Sequence, residues 1–440
     1  MNIYEIVDML RECESNKYKT INLVPSENEA TTLSRLPLLL DLYNRYFFND
    51  KQKWNEWFFR GAQEVHRLET EVAIPLLQEL GKAQYVNLRP LSGLNCGLIV
   101  LKALGGGIGA NILTVSPEQG GHFATKDLAE SLGLKVNFMT GPDEHSIDFD
   151  LLKTQLLERD VHLVYVDQSN CLFPIDLEKL VQSVKETSPK TIIHVDVSHW
   201  LGLIFGNVMK NPLVLGIDSF GGSTHKTFPG PQKAVFFTNN LEIEQKFKEV
   251  QSYIVSSHHF GAVASLAISL LEFKNCGGFD YAHRIVGNAK TLANELYHLG
   301  YDVKGKERGY TIGHQIWLST DNTGISSYEA SERLYKVGIR VNVYNSLPSF
   351  RGKLALRLGV NEITRHGAHA EDMVELASVM DDAIRERLSV SELQRRVKNI
   401  RTRYINSYGY SMDDRKLREL CIQTFLSSIE GVNCAEHSTW

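Results

Sequence analysis

The sequence is poor in the features that mark metal-binding, secreted and membrane-spanning proteins. It has six cysteines in 440 residues, without a C-x-x-C pair or a cysteine/histidine cluster with zinc spacing. It has no stretch of ~18 uninterrupted apolar residues, which argues against a transmembrane helix. The first residues, MNIYEIVDMLRECESNK, lack the basic region and the apolar run of a signal peptide. We therefore expect free thiols, no metal site, no membrane partner and a cytoplasmic location.

Positive charge is not in excess either. The chain carries 47 lysine and arginine residues against 52 aspartate and glutamate residues, a formal charge of −5. Because proteins that bind nucleic acid carry a basic stripe, nucleic acid is not expected as the main partner. The hydrophobic fraction of 43% and the charged fraction of 22% are ordinary for globular chains. At ~150 residues per domain, the length predicts two or three domains.

Short apolar runs alternate with helical segments between about residue 85 and residue 240. The runs predicted to be strands are 111–115, 134–139, 161–166, 191–197, 214–220 and 233–238. Strands that alternate with helices predict a mostly parallel sheet covered on both faces. Two long helices over 260–298, broken near Gly277, are followed by a different rhythm. The expected fold class is therefore α/β, with a large domain around a mostly parallel sheet and a smaller α+β C-terminal domain.

Two motifs that follow predicted strands carry reactive side chains. Lys226 stands in STHKTFPGP (223–231), directly after the apolar run VLGIDSF (214–220), and Asp196 ends the run before that one, TIIHVDV (191–197). Taken singly, each residue has a plainer interpretation. Lys226 would be a surface lysine in a turn, and Asp196 would belong to a turn or cap a helix. Together they fit a pyridoxal phosphate site. A desolvated lysine is a nucleophile for the aldehyde of that cofactor, and an acid keeps its pyridine nitrogen protonated.

An arginine lies inside an apolar run near the C-terminal end. Arg357 occupies the middle of LALRLGV (354–360). A charged side chain in an apolar strand is costly unless it meets an anion, and the guanidinium fork suits a carboxylate. Two interpretations stay open on these grounds, a residue that binds a substrate carboxylate and a structural ion pair.

Several motifs, in order along the chain, resemble serine hydroxymethyltransferases, which are pyridoxal phosphate enzymes of the aspartate aminotransferase fold type. They are NLVPSEN (22–28), YNRYF (43–47), RPLSG (89–93), GGHFA (120–124), DVSH (196–199), STHKT (223–227) and LALRLGVNEITRHG (354–367). The resemblance implies pyridoxal 5′-phosphate as cofactor and a seven-stranded sheet between helices. We expect an N-terminal arm with a dimer-exchanged active-site loop over 1–60, a large cofactor domain over 61–270, a small domain over 271–405 and an extension over 406–440.

The resemblance also implies roles for individual residues. Lys226 falls on the Schiff-base lysine, Asp196 on the partner of the pyridinium nitrogen, and Arg357 on the arginine for the amino-acid carboxylate. His122 falls on the histidine stacked on the cofactor ring. Further residues implied to bind the cofactor are Ser92, Gly93, Ser169, His199, Ser223, Tyr46 and Gly261. Ser92 and Gly93 precede an apolar helix, whose N-terminus would suit a phosphate.

Substrate-binding and proton-transferring residues follow from the same comparison. Ser26 would assist Arg357 at the carboxylate. Tyr46 falls on a tyrosine that the neighbouring subunit supplies to the site, which implies a homodimer with shared active sites. His122 and His225 are the candidates for the base that takes the substrate hydroxyl proton.

The sequence departs from the family over residues 48–61. The glutamate that handles the hydroxymethyl proton and contacts folate is replaced by Phe48, and an active-site tyrosine is replaced by Phe59. An aromatic pocket without this acid suits an apolar or aromatic aldehyde better than a pterin, so both phenylalanines are candidate substrate-binding residues. Trp57 would border the same pocket, and Glu56 is an alternative source of the missing acid.

We therefore expect a pyridoxal phosphate enzyme that breaks and forms the Cα–Cβ bond of a β-hydroxy-α-amino acid. The expected reaction is of the threonine aldolase or transaldolase type, with transfer to an aldehyde and without folate. Three alternatives stay open, because a fold alone does not fix a reaction. They are a folate-dependent hydroxymethyltransferase, an enzyme of racemisation, decarboxylation or transamination, and a catalytically silent relative.

Overall fold

The structure is a computed structural model that describes residues 1–48, 56, 58–404 and 415–430. Within these residues the chain forms sixteen α-helices: α1 Ile3–Asn16, α2 Thr32–Arg35, α3 Ile74–Gly81, α4 Gly93–Leu104, α5 Thr125–Ser131, α6 Phe149–Glu158, α7 Leu177–Thr187, α8 Leu201–Phe205, α9 Leu241–Ile254, α10 Phe260–Asn275, α11 Gly278–His298, α12 Ser327–Lys336, α13 Asn361–Arg365, α14 Ala370–Ile384, α15 Val390–Thr402 and α16 Arg415–Glu430. Trp57 and most of the expected extension over 406–440 lie outside the described residues.

The same residues form fifteen strands: β1 Ile21–Asn22, β2 Phe47–Phe48, β3 Phe59–Arg60, β4 Tyr85–Asn87, β5 Asn111–Val115, β6 Lys135–Met139, β7 Val161–Asp167, β8 Ile192–Asp196, β9 Ser219–Ser223, β10 Ala234–Thr238, β11 Asp302–Val303, β12 Gln315–Ser319, β13 Ile339–Arg340, β14 Asn342–Tyr344 and β15 Ala355–Gly359. Across the ranges described, no helix is both long and apolar enough to traverse a lipid bilayer.

A seven-stranded sheet with the strand order β4-β10-β9-β8-β7-β5-β6 forms the centre of the molecule. The strands from β9 to β6 are parallel to one another, and β10 runs antiparallel to β9 and β4. Every residue of β9 and β10 is buried, as in a sheet with helices on both faces. The expected mostly parallel sheet is confirmed. Its carboxyl ends at β7 and β8 are where a ligand crevice is expected.

Among the strands of this seven-stranded sheet, one was predicted at the wrong position and one, β4, was not predicted. The run 214–220 is mostly not extended, because Pro212–Leu215 forms a 3-10 turn that ends at Gly216 with a φ of 91°. The strand begins at Ser219 and continues to Ser223, three residues before Lys226. β4 has three residues, too few for an alternating pattern to mark it.

A four-stranded antiparallel sheet of order β11-β12-β15-β14 forms the smaller α+β part, where α11 and α14 pack against each other. The N-terminal segment joins it, because β1 pairs in parallel with β13 and Gly359 N donates to Leu23 O at 2.8 Å. This pairing brings the motif NLVPSEN beside the strand that carries Arg357. The domain boundaries at 60, 270 and 405 stay predictions.

The N-terminal helix α1 stands apart from the core. Asn2 and Glu5 form a capping box at its start, yet none of its residues is buried. Ile3, Val7 and Leu10 are apolar residues of this helix, and all three are exposed.

Candidate active site

A cavity opens at the carboxyl ends of β7 and β8. Side chains reach it from the N-terminus of α4, from the loop after Gly121, from both strands and from the loop after β9. The predicted site residues that line it are Gly93, His122, Ser169, Asp196, His199, Ser223 and Lys226. Residues from four of the sequence motifs, together with Ser169, therefore meet in one place.

Lys226 is held in a tight loop that follows β9. Thr224 closes this loop, because its hydroxyl donates to Pro231 O at 2.6 Å and its N–H donates to Lys233 O at 3.0 Å. The amide of Asn28 donates to Lys226 O at 2.6 Å. Burial lowers the pKa of the Lys226 amine to about 8, with Asp196 raising it and Arg357 lowering it. A lysine of this kind is partly unprotonated near neutral pH and can act as a nucleophile.

Two acids end neighbouring parallel strands at the floor of the cavity. Asp196 ends β8 and pairs in register with Asp167, the last residue of β7. The Asp196 carboxylate accepts from Ser198 N at 2.8 Å. Asp167 accepts from the Thr125 hydroxyl and from His122 N, the latter at 3.3 Å. Asp167 therefore fixes the backbone of the loop that carries His122.

Asp167 was missed by the sequence-based prediction. Burial raises the pKa of Asp167 well above its ordinary value, and the charge of Asp196 adds to this effect. The signal that identified Asp196 was also present here, since Asp167 ends the apolar run VHLVYVD and stands two residues before Ser169. An acid at a strand end, next to a motif residue, marks the crevice at both positions.

Arg357 lies in β15, beside the cavity-lining residues Ser169 and His199, with only 5% of its surface exposed. Its Nη2 donates to Ser169 O at 2.7 Å, and its Nε donates to Gln315 Oε1 at 3.1 Å. Burial lowers the pKa of Arg357 to about 10. Among the described residues no carboxylate forms an ion pair with it. This argues against the structural ion pair and favours an external anion.

His199 stands between the two cations. Its Nε2 lies 3.3 Å from Lys226 Nζ and 3.4 Å from Arg357 Nη2. Burial lowers the pKa of His199 well below its ordinary value, and the charges of Lys226 and Arg357 lower it further. The ring is therefore neutral and adds no third positive charge. Its other nitrogen, Nδ1, lies 3.2 Å from Nε2 of His314, another residue that the sequence-based prediction missed.

The N-terminus of α4 forms a cradle for an anion. Ser92 is the N-cap, and its hydroxyl accepts from Asn95 N at 3.2 Å. A methyl group on Gly93 would overlap Ser223 Oγ and lie 3.0 Å from Ser198 Oγ, so only glycine leaves the space between these hydroxyls open. The helix dipole and free N–H groups favour a phosphate there.

The donor set fits pyridoxal phosphate. The lysine amine can bind its aldehyde, Asp196 can hold the proton on its ring nitrogen, and the cradle at Gly93 can bind its phosphate. His122 lines the same cavity, and burial lowers the pKa of His122, so its ring is neutral near pH 7. All of these residues were predicted from the sequence.

Four predicted residues lie away from this cavity in the same chain. Tyr46, Phe48 and Phe59 line a second cavity, where the rings of the two phenylalanines are 5.5 Å apart. The Ser257 hydroxyl donates to Tyr46 Oη at 2.8 Å. Gly261 lies at the start of α10, where a methyl group would come within 3.0 Å of Tyr43 Cα. Within one chain the structure does not bring these residues to Lys226.

The remaining predicted residues lie close to the site without lining the cavity. His225 precedes Lys226, and burial lowers the pKa of His225 to about 4. Ser26 follows Pro25, which packs against Gly359 at the end of the Arg357 strand. Ser92 caps the helix that Gly93 begins. Glu56, the alternative acid, lines neither of the two cavities.

Comparison with known proteins agrees with this site. The profile of serine hydroxymethyltransferase matches residues 2–380. An L-threonine:uridine-5′-aldehyde transaldolase of a Streptomyces species is 40% identical over 383 residues, which are 86% of this chain and 91% of that protein. The serine hydroxymethyltransferase of Archaeoglobus fulgidus is 33% identical over 409 residues, 90% of each chain.

A solved structure shares the fold. The crystal structure of L-threonine transaldolase from Pseudomonas fluorescens in its internal aldimine state superposes with a TM-score of 0.86 at 25% identity, covering 96% of this chain and 97% of that one. The resemblance stated from the sequence motifs is therefore confirmed. The chain belongs to the serine hydroxymethyltransferase family, and it is an enzyme whose cofactor is pyridoxal 5′-phosphate.

Proposed function

We propose that this protein is an L-threonine transaldolase. It cleaves L-threonine to acetaldehyde and transfers the glycyl unit to a second aldehyde, without folate. The observation that carries the proposal is the combination of an intact amino-acid site at Lys226, Asp196 and Arg357 with a phenylalanine, Phe48, in place of the folate-contacting glutamate. The names of the transaldolase relatives support it, since their reaction uses the same bond and the same donor.

When bound, the cofactor supplies an electron-withdrawing ring, which takes up the electron pair of a bond broken at Cα. The chain supplies the geometry. Lys226 provides the amine, and the neutral ring of His199 beside it accepts a hydrogen bond from that amine. Arg357 binds the carboxylate of the amino acid and so fixes which bond at Cα is aligned for cleavage. Asp196 holds the proton on the ring nitrogen and stabilises the charge that develops.

His122 is the proposed base for the threonine hydroxyl. It lines the cavity with an unprotonated ring, whereas His225 does not line it. In this scheme His122 accepts the hydroxyl proton as the Cα–Cβ bond breaks and acetaldehyde leaves. It returns a proton to the new hydroxyl after the acceptor has been attacked. The same residue therefore serves both half-reactions.

The acceptor is proposed to bind against the aromatic residues around Phe48. The centroid of the Phe48 ring lies 5.5 Å from that of Phe59, 6.2 Å from that of Tyr46 and 5.1 Å from that of His258. Cζ of the Arg89 guanidinium lies 5.5 Å from the same centroid. These faces suit the planar base of a nucleoside 5′-aldehyde, the acceptor class in the names of three relatives, or an aromatic aldehyde. Phe48→Leu is expected to raise KM for the aldehyde about tenfold and to leave KM for threonine unchanged.

The protein is proposed to act as a homodimer with shared sites. Tyr46 and Gly261 lie outside the cavity of their own chain, and the exposed apolar face of α1 would be covered by a second copy. Mixing subunits tests this directly. Equal amounts of Lys226→Ala and Tyr46→Phe subunits form about 50% mixed dimers, each with one intact site if Tyr46 serves its partner. We expect about a quarter of wild-type activity, and activity no higher than that of the unmixed variants would contradict a shared site.

Product analysis tests the reaction. The holoenzyme is incubated with L-threonine and either uridine-5′-aldehyde or phenylacetaldehyde, with Lys226→Ala as the inactive control. Acetaldehyde and a new β-hydroxy amino acid are expected. Glycine formed from serine only when tetrahydrofolate is present, without acetaldehyde from threonine, would overturn the proposal in favour of a hydroxymethyltransferase. Carbon dioxide or a keto acid from threonine would indicate decarboxylation or transamination instead.

A further inference from the structure

Gln315, the first residue of β12, is an uncharged side chain that contacts Arg357. It is fully buried. Its Oε1 accepts from Arg357 Nε at 3.1 Å and from Trp317 Nε1 at 3.2 Å. Its Nε2 donates to Ser169 O at 2.9 Å and lies 3.4 Å from His199 Nδ1.

The orientation of this amide is determined by its neighbours. An arginine Nε–H and a tryptophan indole N–H can only donate, so the atom that faces both of them must be the amide oxygen. The amide nitrogen then faces the Ser169 carbonyl, which can only accept. No other assignment of Oε1 and Nε2 satisfies these three groups. Hydrogen bonds therefore hold the Gln315 amide at both its oxygen and its nitrogen.

The orientation of the Gln315 amide determines which N–H groups of Arg357 remain available to bind a ligand. Its Nε is engaged by Gln315, and one Nη2 hydrogen is engaged by the Ser169 carbonyl. Nη1 makes no hydrogen bond to any residue that the structure describes. A guanidinium has five N–H donors in a fixed plane. Nη2 also lies 3.4 Å from His199 Nε2, which is its longer polar contact. The end formed by Nη1 and Nη2 therefore keeps both Nη1 donors and the weakly held second Nη2 donor, and it can bind a carboxylate with two parallel bonds.

We propose that Gln315 is a positioning residue that makes Arg357 present its Nη1/Nη2 end to the amino-acid carboxylate. The inference rests on the proposed role of Arg357 as the carboxylate-binding residue. Glutamine is suited to the task because the position needs one acceptor and one donor without charge. A glutamate would bind the guanidinium itself and compete with the substrate. A methionine would leave the Arg357 Nε–H buried without a partner.

Binding of glycine to the holoenzyme, followed by the change in cofactor absorbance, tests the proposal. Gln315→Met is expected to raise the Kd for glycine about tenfold to a hundredfold, because hydrogen bonds that orient a charged group are strong. Glycinamide lacks the carboxylate and is expected to bind with unchanged affinity. Gln315→Glu is expected to weaken glycine binding more than Gln315→Met does, since its carboxylate occupies Arg357. Gln155→Leu is a matched control, because Gln155 in α6 donates to Phe138 O in β6 and neither residue lines the cavity.

The outcomes separate the two proposals. If Arg357→Leu leaves glycine affinity unchanged, the carboxylate site of the proposed function is wrong. If Arg357→Leu weakens glycine binding but neither Gln315 variant does, the role of Gln315 is overturned alone. Equal losses for glycine and glycinamide in Gln315→Met would also overturn it, because that pattern reports a general change of the site. In the Arg357→Leu background, Gln315→Met is expected to have no further effect on glycine.

Discussion

Lys226 is expected to react with an aldehyde at neutral pH far faster than an ordinary lysine. Burial lowers the pKa of its amine from 10.5 to about 8, with Asp196 raising it and Arg357 lowering it. At pH 7 about 9% of such an amine is unprotonated, against ~0.03% for a lysine with a pKa of 10.5. At equal nucleophilicity, the rate of cofactor capture is therefore roughly 300-fold higher than for an exposed lysine.

Two substitutions are expected to move this titration in opposite directions. Asp196→Asn removes a negative charge that stabilises the ammonium form, so the pKa of Lys226 falls. Arg357→Leu removes a positive charge that disfavours it, so the pKa of Lys226 rises. The assay is stopped-flow capture of pyridoxal phosphate by the apoprotein between pH 6 and pH 10. Lys226→Ala is the blank, and comparison with wild type cancels the titration of the cofactor itself.

The outcome that refutes this reasoning is a capture rate that still rises steeply above pH 9 in the wild type. A shift of the midpoint of the rate against pH in the same direction in both variants, Asp196→Asn and Arg357→Leu, would refute it equally. A second measurement checks the sign through stability. Between about pH 8 and pH 10.5 the unfolded chain carries a proton on Lys226 that the folded chain has lost. The free energy of unfolding is therefore expected to rise with pH across this window, by ~3 kcal/mol relative to Lys226→Met.

Three further predictions concern the cradle, the base and the packing of the N-terminal segment. Gly93→Ala is expected to weaken cofactor affinity at least tenfold in fluorescence titrations, because its methyl group overlaps Ser223 Oγ. Gly287→Ala in α11, with no atom within 4 Å of the new methyl, is its control, and equal affinities would contradict the cradle. His122→Asn is expected to lower kcat for acetaldehyde release more than 100-fold and His225→Asn less than tenfold, and the reverse order would reassign the base. Glu29 Oε2 lies 3.0 Å from His366 Nε2, and although burial opposes it, this contact and nearby cations hold the pKa of Glu29 far below its ordinary value. Glu29→Gln is expected to lower the free energy of unfolding, measured in urea at pH 7, by ~3 kcal/mol. The difference from wild type is expected to shrink as the pH falls below 4.5, because Glu29 then becomes protonated. A difference that stays constant with pH would contradict the interaction of the Glu29 carboxylate with these cations.

The parts of the site that local sequence determines were predictable. Asp196 ends a strand and Lys226 stands three residues after one, so a motif and a strand end are enough to indicate their place. The cost of a charge in an apolar strand singled out Arg357, and the resemblance to the family then assigned it to the substrate carboxylate. In each case the physical reason acts within about ten residues of the chain. The parallel sheet was predictable on the same ground, because alternation of strands and helices is a local pattern.

The partners of these residues were not predictable from local patterns. Gln315 and Ser169 meet Arg357 across separations of 42 and 188 residues, which only the strand pairing and the packing of the two sheets determine. The strand over 214–220 was misplaced because apolar residues in a 3-10 turn resemble a strand in composition. Tyr46 shows a different limit. Its predicted place at the site depends on a second subunit, so no single chain contains that geometry.

The most direct test of the central claim follows the glycyl unit itself. L-threonine labelled with ¹³C at Cα and ¹⁵N at the amine is incubated with the holoenzyme and an acceptor aldehyde in the absence of folate. The account predicts that both labels, still bonded to each other, appear in a new β-hydroxy amino acid built on the acceptor, while unlabelled acetaldehyde is released in equal amount. Labels that remain entirely in threonine, or that reach serine only when a folate one-carbon donor is added, would contradict it.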